Sequence, residues 1–131
     1  IADAIRQAGV EPVCVEINWT LATVLRKKGY QVFCTDFLAW QDGYFACILL
    51  NPPFEHGFDC DHIRHAYDCL APGGRLVAIA SEGPFFRSDR KAVAFREWLE
   101  AVSGMSEKLP DGSFLPSGTG VATRIVVIER E

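Results

Sequence analysis

Asn51-Pro52-Pro53-Phe54 follows directly on the apolar run Tyr44-Phe45-Ala46-Cys47-Ile48-Leu49-Leu50. Proline fixes φ and lacks an N–H, so two in succession end strand pairing and hold a rigid, extended loop. That loop presents an amide side chain, free carbonyls and an aromatic ring at a strand's end, where open α/β sheets bind ligands. Such a set can grip a planar group that carries an NH2. Two acids also stand at strand ends: Glu16 after Pro12-Val13-Cys14-Val15, and Asp36 after Tyr30-Gln31-Val32-Phe33-Cys34. A carboxylate placed like Glu16 can accept hydrogen bonds from both hydroxyls of a ribose, or simply be solvated.

The elements that must position these residues alternate between helical and strand patterns, which predicts a mostly parallel α/β sheet. Ile1, Ala4, Ile5 and Ala8 share a helical face that stops at Gly9. Residues 12–16 read as a short strand. Asn18 or Thr20 can cap the next helix, with Leu21, Val24 and Leu25 as its stripe; Asn18 reads as the cap rather than as a pocket residue. Residues 30–34 form a second strand, and residues 35–40 a loop or single helical turn. After the 44–50 strand and the Pro-Pro loop, Ile63, Ala66, Tyr67 and Leu70 recur at helical spacing. Leu70-Ala71-Pro72-Gly73-Gly74 turns the chain into a strand over 75–80. Ala92, Phe95, Leu99 and Val102 mark a last helix, stopped by Gly104. Met105–Leu109 and Val121–Ile128 read as an antiparallel pair.

With 131 residues, 49% of them hydrophobic, the chain is one domain with ample apolar content for a core. A net charge of −4 lacks the basic footprint of most stand-alone nucleic-acid binders. Five cysteines, an odd number, suit a reduced cytoplasmic setting better than a disulfide framework. The opening residues lack a signal-peptide pattern, and no apolar run reaches the ~20 residues of a membrane span.

The order strand-end acid, Asp-containing loop, Asn-Pro-Pro-Phe loop, Pro-Gly-Gly turn and terminal hairpin resembles class I S-adenosylmethionine (SAM)-dependent methyltransferases, in the branch that modifies amino or amide nitrogens. The resemblance covers nearly the whole chain. It implies a Rossmann-like, mostly parallel sheet with helices on both faces and an antiparallel C-terminal hairpin. It also implies that the family's first strand and Gly-rich loop belong immediately before Ile1, so that residues 1–131 are a single, N-terminally incomplete domain.

Carried onto this sequence, the resemblance assigns Glu16 to the ribose of SAM. It assigns Asp36 to the adenine amino group and Phe37 to packing on that ring; the chemistry suits, since a carboxylate only accepts and adenine N6 donates. The catalytic set is Asn51, Pro52 and Phe54. An exocyclic amine is a poor nucleophile because its lone pair is delocalised into the ring. The Asn51 side-chain oxygen and the Pro52 carbonyl can hold its two protons, which favours sp3 nitrogen and aims its lone pair at the sulfonium methyl. Phe54 can stack on the base beside Pro53. No general base is needed first, because the proton leaves once the nitrogen is cationic.

The leading substrate is the exocyclic N6 of adenine, in DNA more than RNA, with the base flipped out of any duplex. The alternatives are a protein glutamine amide, which the acidic charge suits, and a non-catalytic methyltransferase-like binding subunit. Arg87, Arg90 and Lys91 can contact phosphates or form a solvated helix start; Arg87 is taken as a substrate contact. Cys60, His62, His65 and Cys69 do not share one helical face, so no metal site is assigned. Ser117-Gly118-Thr119-Gly120 precedes a strand and is a weak phosphate cradle. Oligomeric state is not legible.

Overall fold

The computed structural model describes residues 1–110 and 122–131; the Ser117-Gly118-Thr119-Gly120 run lies outside the described residues. The chain gathers into two compact units, residues 1–42 and 43–131. The first holds a two-stranded sheet and the second a four-stranded one.

In the first unit, α1 (Ala2–Gln7) ends where Gly9 takes φ +93°, a conformation that side-chain-bearing residues avoid. β1 (Val13–Val15) pairs in parallel with β2 (Gln31–Phe33), Val15 opposite Phe33. The crossover between them is α2 (Trp19–Lys27), capped by Asn18, whose Oδ1 accepts from the Leu21 N–H at 3.0 Å. The expected stripe on α2 is only partly covered. Leu25 is half-buried, whereas Leu21 and Val24 are 51% and 44% exposed; the buried residue of the helix is Ala22, which the stripe left out. Two strands of three residues are too small a surface to cover the whole helical face.

The four-stranded sheet of the second unit runs in the order β3 (Phe45–Leu50), β4 (Leu70–Ser81), β6 (Thr123–Glu129), β5 (Met105–Lys108). β3 and β4 are parallel, and β6 is antiparallel to both β4 and β5. The sequence reading of an α/β chain with an antiparallel C-terminal pair is therefore correct. α3 (Phe58–Asp68) links the parallel pair and buries Cys60, Ile63 and Ala66. α4 (Arg90–Ala101), capped by Asp89, buries Ala92, Phe95 and Leu99, three of the four residues its spacing singled out; the fourth, Val102, is the half-buried C-cap. Leu76, Ala78, Val126 and Ile128, all fully buried, supply the sheet's share of the core.

The turn expected over 70–74 needs correction. Leu70 already pairs with Phe45, and the register then jumps to Cys47 opposite Arg75. Residues 71–74 are a bulge inside β4, not a turn that precedes it. The Gly73 N–H donates to the Arg130 carbonyl at 2.7 Å, and the Arg130 N–H returns a bond to the Gly74 carbonyl. The bulge thus stays hydrogen-bonded to the chain's end, as buried backbone groups require. Among the described residues, no helix is long and apolar enough to cross a membrane.

Candidate active site

Glu16 and Asp36 emerge from the same end of the β1–β2 pair. Glu16 directly follows Val15, and its N–H donates to the Phe33 carbonyl at 3.0 Å. One carboxylate oxygen, Oε2, accepts from the Asn18 N–H at 3.0 Å. The other, Oε1, has no hydrogen-bond partner among the described residues and can accept from a ligand. Asp36 repeats the pattern. Its Oδ1 accepts from the Leu38 N–H at 3.0 Å and caps the 3-10 turn Phe37–Ala39, and its Oδ2 is uncommitted among the described residues. The Phe37 and Trp40 rings lie 6.3 Å apart, and Trp40 in turn lies 5.4 Å from Phe33. Phe37, next to Asp36 in the chain, thus belongs to an aromatic row with Trp40 and Phe33, a packing that the sequence did not mark.

In the second unit, Asn51 leaves β3 beside the end of β4: Leu50 pairs with Ala78, and β4 runs on to Ser81. Asn51 is exposed, and its amide makes no hydrogen bond to any described residue. Pro52 is buried, Pro53 exposed and Phe54 half-buried. One ring thus anchors the loop in the core while the amide stays open to a ligand. Phe54 opens the 3-10 turn Glu55–Gly57, in which His56 (φ 55°) and Gly57 (φ 69°) are both left-handed. His56 is the costly one, since its Cβ crowds the backbone there.

Two anchors behind this loop escaped sequence reading. Asp59, in the first turn of α3, is fully buried. Its carboxylate accepts from the Ser81 N–H at 2.9 Å, the Ser81 hydroxyl at 2.8 Å and the Cys60 N–H at 3.1 Å. Beside it, burial and the Asp59 charge push the Cys60 thiol up to about 12, so it stays protonated and inert. The second anchor is Lys91 on α4. Its Nζ donates to the His56 carbonyl at 3.0 Å and to Asp61 Oδ2 at 2.7 Å. The Lys91 side chain stays 42% exposed, as a solvated helix start would be, with its ammonium shared between these two acceptors.

Arg87 does stay available. It is exposed, and its guanidinium has no ion-pair partner among the described residues. It folds over Gly83, where any Cβ would overlap it. With His56, Gly57, Cys60 and Pro84 it lines a small cleft of about 70 Å³ next to the Asn51–Phe54 loop. The second unit thus joins Arg87 to the loop's trailing corner, whereas Glu16, Asp36 and Phe37 belong to the first unit. Among the described residues, no three His, Cys, Asp or Glu side chains are grouped to hold a metal ion.

No protein-family model matches the chain, and no curated protein sequence does. Solved structures do. The methyltransferase subunit of a type I restriction-modification system from Streptococcus thermophilus aligns over 99% of this chain and 37% of its own, with 17% identity and a TM-score of 0.77. A modification subunit assigned to a type I restriction enzyme of Vibrio vulnificus aligns over 90% of this chain and 32% of its own, with 18% identity and a TM-score of 0.67. The N-methyltransferase NodS of Bradyrhizobium japonicum, in complex with S-adenosyl-L-homocysteine, aligns over 90% of this chain and 65% of its own, with 12% identity and a TM-score of 0.60. The fold is that of methyltransferases. The chain spans about a third of the length of the two restriction-modification subunits.

Proposed function

We propose that this chain belongs to a SAM-dependent N-methyltransferase that acts on the exocyclic N6 of adenine in DNA. The observation that carries the proposal is Asn51: an uncommitted amide at the C-terminal end of β3, on a loop that Pro52 fixes in the core. The cofactor side rests on the residues that would hold it. Glu16 Oε1 and Asp36 Oδ2 are open acceptors at one sheet end, beside the Phe37–Trp40 rings. Glu16 would accept from the ribose hydroxyls, Asp36 from the adenine amino group, and Phe37 would pack on the adenine face. SAM bound there supplies the electrophilic methyl group.

The rest is orientation by this chain's own groups. The Asn51 carbonyl oxygen and the Pro52 backbone carbonyl accept the two protons of the target amine. Phe54 stacks on the base, with Pro53 at its edge. Held this way, the amine lone pair is withdrawn from the ring and made available for methyl transfer, a gain in orientation rather than in acid–base chemistry. Arg87 offers a cation to the phosphate next to the target nucleotide. The likeness to subunits of type I restriction-modification systems supports DNA as the acceptor, and DNA bound by a chain of charge −4 calls for phosphate contacts from a companion protein.

The test is methyl transfer from labelled SAM by the intact protein to adenine-containing DNA, to RNA and to protein. N6-methyladenine in the DNA is the expected product. Label on a protein glutamine without added nucleic acid would overturn the nucleic-acid substrate, and absence of both SAM binding and transfer would overturn the enzyme.

A further inference from the structure

We propose that Lys91 is a positioning residue that holds the left-handed corner His56-Gly57 and, through it, sets the pose of Phe54 and Asn51; the proposal rests on the active-site reading above. His56 adopts a conformation that a side-chain-bearing residue takes only when its surroundings enforce it. Lys91 is what the structure places there. Its ammonium bonds the His56 carbonyl at 3.0 Å and Asp61 at 2.7 Å, so one side chain bridges the corner to the first turn of α3. Its stem lies along Gly57, where a Cβ would come within 3.1 Å of Lys91 Cε. The ammonium also faces the Phe58 ring, 5.8 Å from its centroid, and that ring stands edge-on to His56 at 5.6 Å.

The geometry explains why the corner is built from His56 and Gly57 in this order. The left-handed His56 turns its carbonyl to α4, and Gly57 leaves room for the lysine stem. Asp61 then neutralises the ammonium, so the clasp adds no net charge beside Arg87. The chain between Phe54 and Phe58 is short enough that any relaxation of the corner moves the Phe54 ring directly. The Asp59–Ser81 bonds fix α3 to β4 on the buried side of the loop; Lys91 fixes its outer side.

The experiment compares Lys91→Met and Lys91→Arg in the intact protein. Misplacing reacting groups by about 1 Å costs on the order of 100-fold in rate. Lys91→Met should therefore lower kcat by roughly 10- to 100-fold while SAM affinity stays within about twofold. Lys91→Arg, which keeps a cationic donor, should recover most of the rate. Amide hydrogen exchange over residues 54–58 gives a readout independent of turnover: it should quicken about tenfold or more in Lys91→Met and stay near the parent in Lys91→Arg. Unchanged exchange and unchanged kcat in Lys91→Met would overturn the proposal, as would an arginine variant no better than methionine. If the parent transfers no methyl group, the active-site reading fails, and hydrogen exchange alone decides the clasp.

Discussion

Asp59 and Ser81, 22 residues apart, meet through two hydrogen bonds to a single carboxylate oxygen, 2.9 Å from the Ser81 amide and 2.8 Å from its hydroxyl. The contact joins the start of α3 to the end of β4, the two elements that flank the Asn51–Phe54 loop. A buried carboxylate is tolerated because its donors replace the water it lost. Removing it strands those donors. Asp59→Ala should lower stability by about 2–4 kcal/mol, the cost of leaving two or three buried donors unmet. Asp59→Asn keeps one acceptor oxygen and should cost about half as much. Urea unfolding midpoints decide this; an alanine variant as stable as the parent would remove Asp59 from the fold's support.

Asn51 and Glu16 should separate cleanly in function. Asn51 is exposed and bonds no described residue, so Asn51→Ala should leave folding intact. It should abolish methyl transfer and keep SAM affinity within a few-fold of the parent. Glu16→Ala should instead weaken SAM binding by roughly 1–2 kcal/mol, the scale of a hydrogen bond to a charged group. Calorimetry with SAM, run beside the transfer assay, checks both. Loss of SAM binding in Asn51→Ala would make the Pro-Pro loop a structural feature only.

Acid should loosen the first unit. The Tyr30 hydroxyl bonded to Asp3 at 2.5 Å, and then the Lys28 ammonium, hold the Asp3 carboxyl below its ordinary value. The Arg6 guanidinium does the same for Glu11. A carboxyl depressed in the folded state contributes stability above its unfolded pKa, about 4, and loses it as pH falls through the folded value. Tyr30 runs the other way: its bond to Asp3 raises its pKa, so its contribution is complete below the unfolded value of about 10 and fades above it. Amide protection in residues 1–30, taken relative to the intrinsic exchange rate at each pH, should stay flat near neutrality and fall below about pH 4. Protection unchanged down to pH 2 would show that these contacts do not hold α1 in place.

The legible parts of this molecule are those whose physics is local. Proline cannot continue a strand, so Pro52 and Pro53 mark the end of β3 without reference to any partner. Asn18 caps the helical turn three residues away, a pattern written in the sequence itself. Asp59 gave no such sign. In Asp59-Cys60-Asp61-His62 it looks as solvated as Asp61, and only the 22-residue crossover that returns Ser81 to it explains its burial. Lys91 is the surface cation that its place beside Arg90 suggests, but its acceptors lie 30 and 35 residues earlier, so no local pattern names them. The bulge at 71–74 depends on Arg130, near the far end of the chain, so residues 70–74 alone could only suggest a turn.

α4 ends at Ala101 and the left-handed residue beyond it is Ser103 (φ 56°), so Gly104 is not the stop its position suggested; the structure gives it another task. A Cβ there would fall onto Leu99 Cδ1 and lie 3.2 Å from Ile128 Cγ1. Leu99 is a core residue, 7% exposed, and Ile128 is fully buried, so neither can swing aside into solvent. Gly104→Ala should therefore destabilise by about 1–3 kcal/mol through overpacking. Gly104 has no left-handed φ, which removes backbone strain as a competing cause. A double-mutant cycle separates the two explanations. In a Leu99→Ala background the clash has no partner, so adding Gly104→Ala should cost less than it does alone. Additive losses would mean that Gly104 is needed for something other than the close approach of α4 to β6.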